Sequence, residues 1–172
     1  CRSVDFLSMA GIDPTRSDVN IQNWVVARVY PIRVAGNSGP MKGETTWEEL
    51  GLEPEKTTVT QKVRRVGEWD VELLRRAVQA NGGKSANVVI TMLDQILPEL
   101  RNLDEQSVLQ MNEERREALF AGAKEWIDTH ASEEQIGAKV VAFTYSPTAM
   151  WTYPEQGAGH TGAEGNAATE GE

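Results

Sequence analysis

The sequence predicts an α/β protein in which strands and helices alternate along the chain. Three observations indicate this class: a β-branched and aromatic stretch over residues 24–34, an amphipathic pattern over residues 70–80, and a nearly continuous apolar run over residues 87–93. An apolar run of this kind is typical of a strand buried in a parallel sheet. Alternating strands and helices form a sheet that helices flank.

The first strand and the first helix have clear local signals. Trp24–Val34 is predicted as a strand because Val, Tyr and Ile favour extended backbone, and it leads into the turn-rich segment Gly36–Pro40. Asp70 is the predicted N-cap of a helix that ends near Gly82. One face of this helix is apolar and carries Leu73, Leu74, Ala77 and Val78.

The remaining elements continue the alternation. Asn87–Leu93 is predicted as a buried strand, with Asp94 at its carboxyl end, where open α/β sheets bind ligands. Asn112 is the predicted cap of a second helix over Glu113–Thr129, and Lys139–Phe143 is the next predicted strand.

The composition fits one globular domain and argues against several classes of function. The chain has 172 residues, 40% of them hydrophobic, and a net charge of −9 that disfavours nucleic-acid binding. Its one cysteine excludes an internal disulfide framework. The apolar runs are shorter than the ~20 residues that span a bilayer, and no secretion signal is visible. We therefore expect a cytoplasmic protein with neither nucleic acid nor membrane as a partner.

The end of the chain differs in composition from the rest. Residues 154–172 are mostly Gly, Ala, Thr and Glu without Lys or Arg, so they bury too little apolar surface to fold. We predict a domain over residues 1–153 and a disordered tail over residues 154–172.

Hydroxyls and cations are concentrated in the segment from Thr57 to Asp70. Threonine hydroxyls close to Lys62, Arg64 and Arg65 are the chemistry of a clamp for carboxylate or phosphate oxygens. Taken alone, these cations fit a solvated basic turn better, because short cation runs are common on protein surfaces.

The same segment resembles the aspartate-binding loop of adenylosuccinate synthetases, written roughly T-T-T-G-R-x-R-R-x-G-x-x-D. Four further stretches resemble that family in the same order: residues 27–40 its A-x-Y-x-x-R-V-G strand and loop, residues 70–82 its D-x-x-x-x-R-x-A-V-x-x-N-G helix, residues 91–94 its T-K-L-D strand end, and residues 144–147 its S-T-G-P segment. The short, archaeal-like branch is the most similar. The resemblance implies a mixed, mostly parallel sheet flanked by helices, the C-terminal half of a P-loop-related fold.

The resemblance also implies a reaction in AMP biosynthesis. GTP phosphorylates the 6-oxygen of IMP, and the amino group of L-aspartate then displaces the phosphate to give adenylosuccinate. The residues implied to contact aspartate and IMP are Thr58, Thr60, Lys62, Arg64, Arg33 and Val34. Lys62 replaces an arginine of the family, so a point charge stands in place of a planar fork. Arg33 fits a structural cation at a strand end equally well.

A second set of residues is implied to bind GTP. Asp94 would accept hydrogen bonds from the guanine N1–H and amino group, and Arg64 would reach the γ-phosphate side. The other implied contacts are Thr91, Thr144, Ser146 and Pro147. Met92 and Ser146 depart from the lysine and glycine of the family motifs. The short branch of the family tolerates a residue other than lysine here, so GTP is the expected nucleotide. The two departures leave ATP open.

The catalytic residues of the family do not match any part of this sequence. Its glycine-rich phosphate loop with the catalytic Asp, and the His that follows, have no counterpart, so we expect no catalytic residue and no metal ligand here. Mg²⁺ would be held mainly by phosphates and by the missing half. We expect a C-terminal fragment that begins at a cut, such as an intein junction or a truncation. It would need the N-terminal half for activity and would be a homodimer when complete.

Two other hypotheses stay open. One is a divergent or phage-type synthetase that acts on a guanine deoxynucleotide with ATP or GTP. The other is a non-catalytic nucleotide-binding or assembly module.

Overall fold

The computed structural model describes residues 2–153, so the predicted tail at 154–172 lies outside the described residues. In chain order the elements are α1 (Ser3–Met9), β1 (Trp24–Arg28), β2 (Ile32–Arg33), β3 (Glu44–Thr45), β4 (Arg65–Gly67), α2 (Val71–Ala80), β5 (Asn87–Thr91), α3 (Glu105–Leu109), α4 (Glu113–His130), α5 (Glu133–Ile136), β6 (Lys139–Thr144) and β7 (Met150–Thr152). Short 3₁₀ turns lie at Gly83–Ser85, Leu93–Gln95 and Pro98–Leu100.

The larger sheet has four strands in the order β1-β5-β6-β7. β1 pairs in parallel with β5, β5 pairs in parallel with β6, and β7 is antiparallel to β6. The chain passes through α2 between β1 and β5, and through α4 between β5 and β6. Such helical crossovers are what parallel neighbours require. The predicted fold class, a mixed and mostly parallel sheet flanked by helices, is confirmed.

The strand predicted over Trp24–Val34 is wrong in its length. β1 ends at Arg28, and Ile32–Arg33 pairs instead with β4 in a separate antiparallel sheet of order β2-β4-β3. Pro31 lies between the two pieces, and proline has no N–H to donate to a strand ladder. Its carbonyl accepts from the N–H of Gly67 at 3.0 Å, which links the smaller sheet to this bend.

The strand predicted over Asn87–Leu93 ends two residues early. β5 stops at Thr91 because Met92 adopts a left-handed conformation, with φ of 67°, and starts the 3₁₀ turn Leu93–Gln95. A positive φ is uncommon for a residue with a side chain. The chain therefore turns sharply at the carboxyl end of β5.

Both predicted helices are confirmed, together with their caps. The Asp70 carboxylate accepts the N–H of Leu73 at 3.0 Å, and the Asn112 side chain accepts the N–H of Arg115 at 2.9 Å. α4 continues one residue beyond the predicted Thr129. Side-chain oxygens at these positions satisfy N–H groups that have no partner inside a helix.

The main core lies between the larger sheet and the helices, with Phe120 of α4 at its centre. Phe120 is fully buried, and its ring lies 5.4 Å from that of Phe143, 5.1 Å from that of Tyr145 and 4.8 Å from that of Trp151. Other fully buried members of the core are Val29, Val78, Val88, Ile90, Leu93 and Leu100. One aromatic side chain thus joins α4 to β6 and β7.

Trp47, Trp69 and Trp126 contact other parts of the protein, whereas Trp24 is 52% exposed. Trp47 is buried and donates from Nε1 to the Arg64 carbonyl at 2.7 Å. Trp69 meets Trp126 edge to face at 5.1 Å, which joins the start of α2 to the end of α4. Within residues 2–153, no helix is long and apolar enough to cross a membrane.

Phe120→Ala is expected to lower the free energy of unfolding by about 3–5 kcal/mol, because it opens a cavity where three aromatic rings meet. Urea unfolding followed by circular dichroism measures the change. Phe6→Ala is the matched control, since Phe6 is 59% exposed on α1. Equal losses in the two variants would contradict this description of the core.

Candidate functional site

The largest group of predicted site residues meets at the carboxyl ends of β5 and β6. A cavity of about 450 Å³ opens there between the two strand ends; we call it the strand-end cavity. It is lined by Thr91, Met92, Asp94, Gln95, Thr144, Ser146 and Pro147. Five of the six residues predicted to bind GTP are in this lining, all but Arg64, with Met92 and Gln95 beside them. Ligands bind at this edge in open α/β sheets.

Local hydrogen bonds explain why the cavity forms here. The N–H of Met92 donates to the hydroxyl of Thr144 at 2.9 Å, which joins the ends of β5 and β6. The N–H of Gln95 donates to the Met92 carbonyl at 3.0 Å and closes the 3₁₀ turn. Thr91 is held from the other side, because its hydroxyl donates to the Ala27 carbonyl at 3.2 Å.

Asp94 is the only charged residue among those that line the strand-end cavity. Partial burial raises the pKa of its carboxyl, and the nearby Arg101 guanidinium acts in the opposite direction. Arg101 donates from Nε to the main-chain carbonyl of Asp94 at 3.0 Å and from Nη2 to that of Gln95 at 3.3 Å. Arg101 therefore holds the backbone of the turn, and no hydrogen bond from another described residue reaches the Asp94 carboxylate.

A second, larger cavity of about 690 Å³ adjoins the first. The two share Asp94, Gln95, Ser146 and Pro147. The larger one extends past Tyr145 to Arg101–Asp104 and, on its far side, to Leu52 and Glu53. The shared residues make one continuous recess, large enough for more than a base alone.

The segment predicted as an anion clamp forms a tight loop. Its ends are joined by a β-bridge between Lys56 and Val63. Inside the loop, the hydroxyls of Thr57 and Thr60 lie 2.6 Å apart, and the Gln61 amide donates to the Thr58 carbonyl at 2.9 Å. The Lys62 and Arg64 side chains form no hydrogen bond or ion pair with any other part of residues 2–153. These two cations are available to a ligand.

Arg65 is not part of such a clamp, which corrects the grouping of three cations in the sequence. Its Nε and Nη2 bind the two carboxylate oxygens of Glu44 at 2.6 and 2.5 Å. Its Nη1 donates to the Ser38 hydroxyl at 3.0 Å and to the Gly39 carbonyl at 2.8 Å. Arg65 is thus a structural cation, and its hydrogen bonds lower the pKa of Glu44.

Arg33 ends β2, and Val34 follows it at the start of the loop that Arg65 holds. Arg33 donates to the Ser38 carbonyl at 2.7 Å, and Val34 is 54% exposed. The predicted aspartate and IMP contacts therefore lie on the loops that flank the smaller sheet. None of them, including Arg64, lines the strand-end cavity or the larger cavity beside it.

Two residues of the recess, Gln95 and Arg101, were not predicted from the sequence. Gln95 follows Asp94 directly, and Arg101 lies in a segment without a recognised motif. Their importance depends on a turn that periodicity does not reveal. Among residues 2–153, no three His, Cys, Asp or Glu side chains group to hold a metal ion.

A polar recess beside an acidic side chain, at the ends of parallel strands, is typical of α/β proteins that bind a small ligand at this edge. Comparison with known proteins narrows this class. An adenylosuccinate synthetase of Methanocaldococcus jannaschii is 34% identical over 145 residues, which are 83% of this chain. The N6-succino-2-amino-2'-deoxyadenylate synthase of Vibrio phage phiVC8 is 51% identical over 55 residues, which are 30% of this chain. The resemblance is confirmed: the homologues of this chain are adenylosuccinate synthetases and a related phage synthase.

These matches cover part of each relative. The aligned regions span 36% of the archaeal enzyme and 16% of the phage enzyme. A solved structure, cyanophage S-2L succinoaminodeoxyadenylate synthetase bound to dGMP and to dATP as an energy donor, is 28% identical with a TM-score of 0.49. It covers 74% of this chain, which in turn covers 32% of that protein. No protein-family model matches the chain.

Asp94→Asn is expected to stabilise the chain at pH 7. The folded-state pKa of Asp94 is raised, so proton binding by its carboxyl stabilises the fold below the unfolded pKa of about 4. This stabilisation is lost as the pH rises through the folded pKa. Asparagine removes the cost of a partly buried charge at pH 7. Urea unfolding of both proteins at pH 7 and below pH 4 measures the effect. A variant less stable than the parent at pH 7 would contradict the assignment.

Arg65→Ala is expected to lower the urea midpoint of unfolding and to expose the loop at residues 36–39 to proteolysis. The substitution removes donors from the Glu44 carboxylate and the Gly39 carbonyl. Arg64→Ala is the matched control, because its side chain holds no such partners. The distinction between the two arginines fails if Arg64→Ala is the more destabilising change.

Proposed function

We propose that this chain supplies the nucleotide-binding and aspartate-binding part of an adenylosuccinate synthetase-type ligase. The observation that carries the proposal is the convergence of Thr91, Asp94, Thr144, Ser146 and Pro147 on one cavity. These residues come from segments about 50 positions apart in the sequence. The archaeal enzyme's identity over 83% of the chain supports the same reading.

The proposed reaction has two steps. The γ-phosphoryl group of a purine nucleoside triphosphate is transferred to the 6-oxygen of a purine nucleotide, whose N1 gives up its proton, and the nucleoside diphosphate leaves. The amino group of L-aspartate then attacks carbon 6, inorganic phosphate leaves with the 6-oxygen, and the nitrogen gives up a proton. Adenylosuccinate is the product when the acceptor is IMP.

The strand-end cavity would hold the base of the triphosphate. The Asp94 carboxylate is free of other residues' donors and can accept two N–H groups of guanine. The polar groups of Thr91, Thr144 and Ser146 surround it, and Pro147 supplies apolar contact. GTP is accordingly the first phosphoryl donor to test.

Lys62 and Arg64 would bind the anionic groups of aspartate and nucleotide. Neither side chain forms a hydrogen bond or an ion pair within residues 2–153, although the Arg64 charge helps to lower the pKa of Glu55. Arg64 can grip a carboxylate with two parallel hydrogen bonds. Thr58, Thr60, Arg33 and Val34 would complete this side of the site, and preorganised charge would contribute through orientation.

The residues that cradle the phosphates would come from outside these 172 residues. The sequence has no G-x-x-x-x-G-K run, and the aligned region is 36% of the archaeal relative. The proposed partner is therefore the N-terminal, phosphate-loop part of such an enzyme, in a cytoplasmic assembly that is dimeric when complete. Mg²⁺ would be bound by that part and by the phosphates of the nucleotide.

A second acceptor has its own support. The phage relative, 51% identical over 55 residues, is named for a product with a 2-amino group and a deoxyribose. A guanine deoxynucleotide would give that product in the same two steps, with ATP or GTP as donor. The acceptor is thus IMP or a guanine deoxynucleotide, and product mass separates the two.

The test mixes this chain with the complementary N-terminal part of the enzyme, L-aspartate and Mg²⁺. IMP or dGMP is the acceptor, GTP or ATP is the donor, and mass spectrometry identifies the succinylated product. We expect product only when both parts are present. A mixture that forms no product, while the chain alone still binds a purine nucleotide, would favour a non-catalytic binding module.

Arg64→Ala is expected to lower the rate of this reaction at least 100-fold, because it removes the fork that orients aspartate. Arg76→Ala is the matched control, since Arg76 is exposed on α2 and bonds only the Glu72 carbonyl of its own helix. An Arg64→Ala protein as active as the control would remove Arg64 from the site.

A further inference from the structure

Gln95 combines two properties that no other residue of the recess shares. It lines both the strand-end cavity and the larger cavity beside it. Its carboxamide oxygen, Oε1, is buried without a hydrogen-bond partner among the described residues. Leaving a buried amide oxygen unpaired is costly, and such a group calls for a missing donor.

Hydrogen bonds hold the backbone of Gln95, whereas its side chain has none to another described residue. Its N–H donates to the Met92 carbonyl at 3.0 Å, and its own carbonyl accepts from Arg101 at 3.3 Å. The carboxamide bonds no other described residue. The terminal torsion of glutamine is broad, so rotation about it can present either the oxygen or the NH₂ group of the amide to a ligand.

The neighbouring side chains offer different hydrogen-bonding patterns to a base. The Asp94 carboxylate only accepts, which suits the N1–H and amino group of guanine. The Gln95 carboxamide accepts through Oε1 and donates through Nε2. Adenine presents an amino donor beside the N1 acceptor on its Watson–Crick edge, the edge that enzymes use to identify a base. The carboxamide matches this pair, and the carboxylate does not.

We propose that Gln95 is a specificity-determining residue of the strand-end cavity and that its carboxamide binds the amino group and N1 of adenine, so that the site accepts adenine nucleotides. The inference rests on the proposed nucleotide binding and deepens it. Asp94 and Gln95, adjacent on one turn, divide the recognition of guanine and adenine between them.

The test measures ATP and GTP binding to the full 172-residue chain by isothermal titration calorimetry. Gln95→Leu is expected to raise the Kd for ATP about tenfold, which corresponds to the loss of a typical buried hydrogen bond, and to change the Kd for GTP less than threefold. Gln79→Leu, on the exposed side of α2, is the matched control and should change neither. Gln95→Met provides a second apolar variant of similar length, and circular dichroism checks that each protein is folded.

Four outcomes would overturn the inference. Equal weakening of ATP and GTP would show that Gln95 supports the cavity without selecting a base. Unchanged ATP binding in both Gln95 variants would show that the carboxamide serves another group, such as a bound water. If the parent chain binds GTP but not ATP, the inference fails while the proposed function stands; if it binds neither, both fail.

Discussion

The hydrogen bond from the Met92 N–H to the Thr144 hydroxyl, 2.9 Å long, is the constraint on which the shape of the candidate site depends. It can form because Met92 adopts a φ of 67° and ends β5 at Thr91, which turns the chain across the end of the sheet. The turn places Asp94 and Gln95 beside the segment that follows β6, and Arg101 fixes the two main-chain carbonyls. Backbone geometry thus creates the recess, and polar side chains line it.

The family resemblance points to the residues of the strand-end cavity, and sheet topology explains why they lie together. Thr91 and Thr144 end adjacent parallel strands, so the residues that follow them meet at the same edge. The caps at Asp70 and Asn112 were equally accessible, because capping depends on side chains within three residues of the helix start. Local signals and strand order therefore explain most of the structural predictions that the model confirms.

The sequence predictions fail for residues whose contacts depend on a distant partner or whose conformation depends on a single backbone angle. Arg65 looked like Arg64 in the sequence, but Glu44 lies opposite it across β3 and β4 and takes it out of the clamp. The Trp24–Val34 pattern favours a strand throughout, yet Pro31 divides it between two sheets. Gln95 was overlooked because an unpaired amide oxygen is visible only in three dimensions. The net charge of −9 likewise conceals two unpaired local cations, Lys62 and Arg64.

The most direct test of the account is to locate the purine base on the chain. Photolabelling with 8-azidoguanosine and 2-azidoadenosine triphosphates, followed by peptide mass spectrometry, identifies the residues nearest the ring. If the strand-end cavity binds the base, labels are expected within residues 91–95 and 144–148, and an excess of the unmodified nucleotide should reduce them. Competed labels confined to the loop at residues 56–65 would place the base elsewhere and contradict the central claim.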